Sequence, residues 1–288
     1  MSACPPRSRC EAATATALTF VTPSVPGMNR RAFLAAGAAT SLAAVSGCLG
    51  VFGSSSNANT NMELPADQNP DDGYPPAYGD PGEREVDPSS FSTTTTNGET
   101  VRLAPIEVAH YWHQRADARF VDARGSEQYE PAHVYGAINS PAQRGSTGGG
   151  IDGWPTDDRI VCYCGCPHHL SSIRAAALQQ AGFSNVFVID EGFGPWYDNG
   201  YAMRGTNFDP PKEAQIQGSV AGQYAGEYAW ATHEPSGQRE AAPIADDGSF
   251  TLHLKFYDVT DDAPIRVQTP AFEVTEPLGE LADSVLTG

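Results

Sequence analysis

Three cysteines alternate with other residues at Cys162, Cys164 and Cys166, and two histidines, His168 and His169, follow at once. Side chains this close offer two kinds of chemistry. An ionised thiol is a strong nucleophile, whereas thiols with imidazoles make a soft metal site. The flanking residues bear on the choice. Ile160 to Cys164 is a short apolar run of buried-strand character, and an alanine-rich segment after Ser171-Ser172 carries Ile173, Ala176, Ala177 and Ala181 at helical spacing. Serine is a favoured N-cap and Gly182 a suitable stop, so the pattern predicts a strand, a tight loop and a helix that begins at Ser171. Free N–H groups and the dipole at a helix start favour negative charge, hence a thiolate. A metal remains a rival, but structural zinc sites space ligands as Cys-x2-4-Cys with a second, distant pair, and none is evident. Neither a metal nor a cofactor is expected. Cys162 lies inside the strand, where a thiol serves as a small apolar side chain.

Several elements must hold this loop in place. Pro105 suits the first turn of a helix reaching about Arg115, with Val108, Tyr111 and Trp112 facing inward. Short strands are expected at Arg119–Asp122, ending near Asn139, and at Val186–Ile189, with a Gly-rich loop over 144–158. Strands alternating with helices predict an α/β domain over 100–207 with a central, mostly parallel sheet. After Pro210-Pro211 the pattern changes. Phe250, Leu252, Leu254 and Phe256 alternate strictly, and Gly, Pro and Asp punctuate short apolar runs. Residues 212–288 therefore read as a small all-β sandwich without a helix. What this module touches is left open.

The N-terminal part predicts export. Arg30-Arg31-Ala-Phe-Leu34 resembles a twin-arginine signal and Val45-Ser-Gly-Cys48 a lipobox, with an Ala-rich apolar stretch between. Residues 28–47 are then the signal, Cys48 is lipidated, and residues 1–27 are an extension that is absent if translation begins at Met28. Residues 48–99 are rich in Gly, Ser, Asn, Pro and Thr and predict a disordered tether. About 50 such residues reach roughly 35–42 Å, which places a folded domain on the outer face of the cell membrane. The chain of 288 residues carries 35 acidic and 17 basic residues, a net charge of −18. A surface this acidic excludes nucleic acid as a partner. Only Lys212 and Lys255 are lysines, which fits a halophile-type composition.

Phe120-Val-Asp122-Ala-Arg124, Glu127-Gln-Tyr129, His133-Val134 and Gly136-Ala-Ile-Asn139 resemble, in this order, the front half of a rhodanese domain. The cysteine loop resembles that family's active-site strand, loop and helix, and Ala181-Gly-Phe183 through Asp190-Glu-Gly192 to Trp196 its last strand and helix. The resemblance implies a three-layer α/β domain and sulfurtransferase chemistry. A cysteine takes sulfane sulfur from a small donor, holds it as a persulfide and passes it to a thiol acceptor. It also implies a substrate loop of Pro167, His168, His169, Leu170, Ser171 and Ser172, with Asp122, Arg124 and His133 in support.

Departures are visible at Gln128, where the family has an acid, and at Ala132, Tyr135 and Ser171. The last stands where an arginine often lies, so an anionic donor would depend on protonated His168 or His169. Two counts locate the nucleophile. The strand end points to Cys164, whereas eight residues back from Arg174 is Cys166. The second count, helped by Pro167, which keeps Cys166 extended, favours Cys166 with Cys164 as alternative. A non-catalytic binding or thiol-redox module is the rival function. A phosphatase-like site lacks the loop arginine.

Overall fold

A computed structural model of the chain describes residues 72–142 and 150–288. The extension, the signal, Cys48, the tether as far as residue 71 and the loop residues 143–149 lie outside the described residues. The α/β part begins with strands β1 (Ser92–Thr96) and β2 (Glu99–Ala104). Helix α1 (Ile106–Gln114) and strand β3 (Arg119–Asp122) follow, then α2 (Ser126–Tyr129), β4 (His133–Val134) and β5 (Ile138–Asn139). Strand β6 (Ile160–Tyr163), α3 (His169–Gln180), β7 (Val186–Ile189), α4 (Phe193–Asp198) and β8 (Met203–Arg204) complete it. Six strands form one sheet in the order β1-β2-β7-β6-β3-β5, parallel except for the β1–β2 hairpin. Strands β4 and β8 pair separately.

Alternation along the parallel strands sends side chains to two apolar clusters. Phe120, Val161, Tyr163, Phe187 and Ile189 pack with α1 and α4. Val121, Ile160, Cys162, Val186 and Val188 pack with Ala175, Ala176 and Leu178 of α3. Buried on both faces, these strands lack the apolar-polar alternation of a half-exposed sheet. Their crossover helices leave β6 in the middle, with its carboxyl end open to the loop that follows.

The expectation of a disordered tether is corrected over residues 72–99. Asn97 and Gly98 both have positive φ, at 50° and 83°, and make the two-residue turn of the β1–β2 hairpin. Asn-Gly is the pair such a turn favours. Upstream, Phe120 N–H donates to the Gly73 carbonyl at 2.8 Å and Tyr78 N–H to the Gln114 carbonyl at 2.9 Å. Phe91 packs against Trp112 and Phe187. Well-separated aromatics anchor this segment, and no periodic run announces it.

The second part comprises β9 (Lys212–Ser219), β10 (Tyr228–His233), β11 (Gln238–Pro243), β12 (Ser249–Phe256), β13 (Pro264–Gln268), β14 (Glu273–Pro277), α5 (Leu278–Ala282) and β15 (Val285–Thr287). Helix α5 corrects the expectation of no helix there. One sheet runs β11-β10-β13-β14 and the other β12-β9-β15, in which β15 pairs parallel with β9. Phe250, Leu252, Leu254 and Phe256 all point into a cluster with Ile216, Ile265 and Val267, as strict alternation requires. All described residues belong to one compact unit. A further cluster joins its two parts: Cys164, Cys166, Leu170 and Ile173 of the cysteine loop and α3 pack with Ala241 of β11.

Candidate functional site

The chain leaves β6 after Tyr163, bends through Gly165–His168 and enters α3 at His169. The helix thus starts three residues earlier than a cap at Ser171 predicts. His168 stands in the cap position with φ 37°, a left-handed conformation uncommon for a residue with a Cβ. Its ring is held 3.1 Å from the Asp190 carbonyl oxygen and 3.2 Å from the Asp190 carboxylate. The base of the loop is tied to α4, because Phe193 N–H donates to the Cys164 carbonyl at 2.9 Å. That approach requires glycine at 192. Its φ is +75°, and a Cβ there would lie 2.6 Å from the Cys166 carbonyl oxygen.

Ser171 and Ser172, displaced from the cap, lie inside the first turn and are buried. Cys164 Sγ lies 3.3 Å from Ser171 Oγ and 3.1 Å from the Cys166 carbonyl oxygen. Burial pushes this thiol up. Hydrogen bonds from the Cys166 thiol, the Ser171 hydroxyl and the Ser171 N–H outweigh it and hold the group down at about 6. Cys166 behaves oppositely. Donating its proton toward Cys164, together with burial and the neighbouring Glu240, pushes it well above the usual thiol range. Cys162 points to the α3 side of the sheet, and burial pushes it up to about 12. The three cysteines therefore occupy three different environments within five residues of chain.

The second part of the molecule covers the loop. Glu240 of β11 has no exposed surface, and its Oε2 lies 3.5 Å from Cys166 Sγ. Burial and the charge on Cys164 push the Glu240 carboxyl well above the carboxylate range. Gln128 Nε2 donates to Glu240 Oε1 at 3.4 Å and to the Lys255 carbonyl at 3.2 Å. An acid at 128 would put a second carboxyl against the first, at a large desolvation cost. His169 Nδ1 is 3.5 Å from Cys166 Sγ, and burial, aided by His168 and His253, pushes its ring down to about 4. His169 is thus neutral near pH 7 and supplies no positive charge to an anion. Leu170 is fully buried, and Pro167 is exposed at the loop tip.

Asp122 and Arg124 form a buried ion pair at 2.6 Å, and Arg124 Nη2 also donates to the Ala132 carbonyl at 2.7 Å. Arg124 lies beside the loop, its Cδ 3.8 Å from where a Cβ on Gly165 would be. His133 is apart from the thiols. Its Nδ1 bonds the Tyr129 carbonyl at 2.8 Å and its ring stacks on Tyr129. A cavity of about 100 Å³ adjoins Gly165, lined by Arg124, Phe193 and Tyr197 on one side and by Lys255 and Tyr257 on the other. Lys255 and its partner Glu213, paired at 2.9 Å, both line this cavity. Glu240, Lys255 and Tyr257 were not singled out as site residues by sequence reasoning. Nothing in their local spacing marks them, since each sits in an ordinary strand or turn far along the chain. Among the described residues no group of three His, Cys, Asp or Glu side chains is arranged to hold a metal ion.

Comparison with known proteins gives a match of residues 108–199 to the family model described as Rhodanese-like domain. No curated protein matches. The chain is similar to the solution structure of the rhodanese-like domain of an Anabaena sp. protein, at 20% identity and TM-score 0.31, over 36% of this chain and 79% of that one. A thiosulfate sulfurtransferase from Pseudomonas aeruginosa is similar at 21% identity and TM-score 0.31, over 36% and 20% of the two chains. A rhodanese with anions from E. coli is similar at 24% identity and TM-score 0.26, over 30% and 96%.

Proposed function

We propose, from the premise that residues 108–199 form a rhodanese-like domain, that this chain is a sulfurtransferase carrying sulfane sulfur as a persulfide on Cys164. The observation that carries the reading is the position of Cys164 Sγ at the end of the central strand, beside Ser171 Oγ and the first turn of α3. The thiolate attacks the outer sulfur of a small donor; with thiosulfate a sulfur–sulfur bond forms on Cys164 and sulfite leaves with the electron pair of the broken bond. A thiol acceptor then removes the sulfur. Among the two candidate cysteines we take Cys164, the strand-end choice, over Cys166, which faces the Glu240 carboxyl and retains its proton. Pro167 to Ser172 shape the loop around it, and the Asp122–Arg124 pair braces its neighbour. His133 supports the fold at a distance.

Intact-mass measurement after exposure to thiosulfate tests this. The wild type and the Cys166→Ser chain take sulfur from thiosulfate, detected as released sulfite, and Cys164→Ser takes none. Sulfur uptake by Cys164→Ser at the wild-type rate would return the site to Cys166. The rival reading, a binding or thiol-redox module, draws on the burial of both thiols, at 0% and 1% exposure. It would be preferred if neither cysteine gained sulfur.

The three-layer and sandwich arrangements belong to the same reading. They are supported by the two clusters on opposite faces of the six-stranded sheet and by the single cluster between the two downstream sheets. We further propose that the protein is exported, lipidated at Cys48 and tethered to the outer face of the membrane. Cys48→Ser should release it from membranes. A variant that stayed bound would sink the lipid anchor.

A further inference from the structure

A Cys-x-Cys pair in an extended strand holds its side chains about 7 Å apart. Here the chain bends after Tyr163 and brings Cys164 and Cys166 into one buried cluster, with Cys164 Sγ 3.1 Å from the Cys166 carbonyl oxygen. Persulfide formation on Cys164 requires neither a second thiol nor a carboxyl. Yet the fold brings both: Cys166, with 1% of its surface exposed, and Glu240, from 74 residues downstream, with its Oε2 3.5 Å from Cys166 Sγ. Glu240 is held in place by Gln128, whose Nε2 donates to its Oε1 at 3.4 Å.

We infer that Cys166 is a resolving thiol that attacks Cys164 Sγ of the persulfide and expels the outer sulfur as sulfide, with Glu240 carrying the proton between them. The inference rests on the reading of Cys164 as the persulfide carrier. The Cys164 persulfide anion and the Cys166 thiol become a Cys164–Cys166 disulfide and hydrosulfide. The Sγ–Sγ bond forms as the bond from Cys164 Sγ to the outer sulfur breaks, and the electron pair leaves with the outer sulfur. That sulfur is reduced from the sulfane to the sulfide level, and the two cysteine sulfurs are oxidised to the disulfide. The Glu240 carboxyl gives its proton to the departing sulfur and takes the one from Cys166, so the site keeps its charge. A dithiol reductant, by two thiol–disulfide exchanges, returns both cysteines to thiols. The activity is then reductive release of sulfide from a sulfane donor, in addition to transfer to an acceptor.

The test uses the full chain and thiosulfate, with no other thiol present. Thiosulfate yields sulfite on loading, so any sulfide reports the resolving step. The wild type should release sulfide equal to the sulfite formed and become lighter by two hydrogens. Cys166→Ser, and Cys166→Ala as a second form, should hold one added sulfur atom and release no sulfide. Glu240→Gln should release sulfide about a hundredfold more slowly relative to its own rate of loading, a split that a merely structural role would not produce. If the wild type and Cys166→Ser both keep the added sulfur and release none, Cys166 does not resolve and the carrier reading of Cys164 stands. If Cys166→Ser and Cys166→Ala take no sulfur, the carrier reading itself falls, and the resolving step with it.

Discussion

The cysteine loop and strand β11 meet at one point, yet they reach it by different routes. The loop is local: strand, thiols and helix start lie within twenty-five residues, and spacing alone places a sulfur at the end of a buried strand. Glu240 is remote, and only the pairing of β11 with β10 and the packing of Ala241 on Leu170 and Ile173 bring it to Cys166. Local sequence therefore places the two thiols, while distant sequence adds the carboxyl beside Cys166. The opposite shifts of the two thiols arise first from their own local hydrogen bonds, to which Glu240 adds on the Cys166 side.

Removing the downstream part is the strongest way to break this comparison. A chain ending at residue 207 should expose Leu170, Ile173 and both loop thiols. Alkylation by iodoacetamide should then be about 5- to 30-fold faster, as expected if closure by β11 is worth one or two kcal/mol. An unchanged rate would make the second part a passive neighbour. The next test separates the thiols by pH. If Cys164 is the carrier, thiosulfate loading should rise about tenfold per pH unit at low pH, as the thiolate fraction does, and level off above about 6. A rate still rising above pH 9 would point to a thiol in the environment of Cys166.

The strand, loop and helix that carry the cysteines were legible because the apolar run and the alanine-rich helical spacing are short-range features. The alternation of Phe250, Leu252, Leu254 and Phe256 was legible for the same reason. Residues 72–99 were not. Tyr74, Tyr78 and Phe91 are isolated among polar residues, and each finds its partners only on the finished domain. The Asn97-Gly98 turn did carry a local signal, which the threonine-rich run around it masked. The helix start at His169 was missed because Asp190, distant in sequence, holds His168 in its strained conformation.

A smaller effect sharpens the same contrast on the other face of the sheet. His113 Nε2 donates to the Tyr135 carbonyl at 2.7 Å, so its Nδ1 accepts from the Tyr78 hydroxyl at 2.8 Å. Tyr78→Phe should leave a fully buried ring nitrogen unpaired and lower stability by about 1–3 kcal/mol in urea unfolding. A change within error would mean that the upstream segment merely rests on the domain. The most diffuse effect comes from charge. With a net charge of −18, the melting temperature should rise as KCl goes from 0.1 to 1 M and the Debye length falls from about 10 to about 3 Å. A flat or falling curve would remove the halophile interpretation.

The parallel pairing of Val285–Thr287 with Gln217–Ser219 has a consequence in time. Its sequence separation spans nearly the whole second part, so it raises the contact order and places completion of the β9 edge late in folding. Strand β9 is bonded to β12 along its other side, and β12 carries Lys255 to the cavity beside Gly165. During synthesis the residues of the α/β part emerge first, and the roughly 80 that follow take on the order of 4–16 s to emerge. For that interval nothing of the second part is present to cover the cysteine loop, and Cys166 has no carboxyl from β11 beside it. The chain thus passes once, at birth, through a form whose thiols are open to whatever sulfur species or oxidant is at hand.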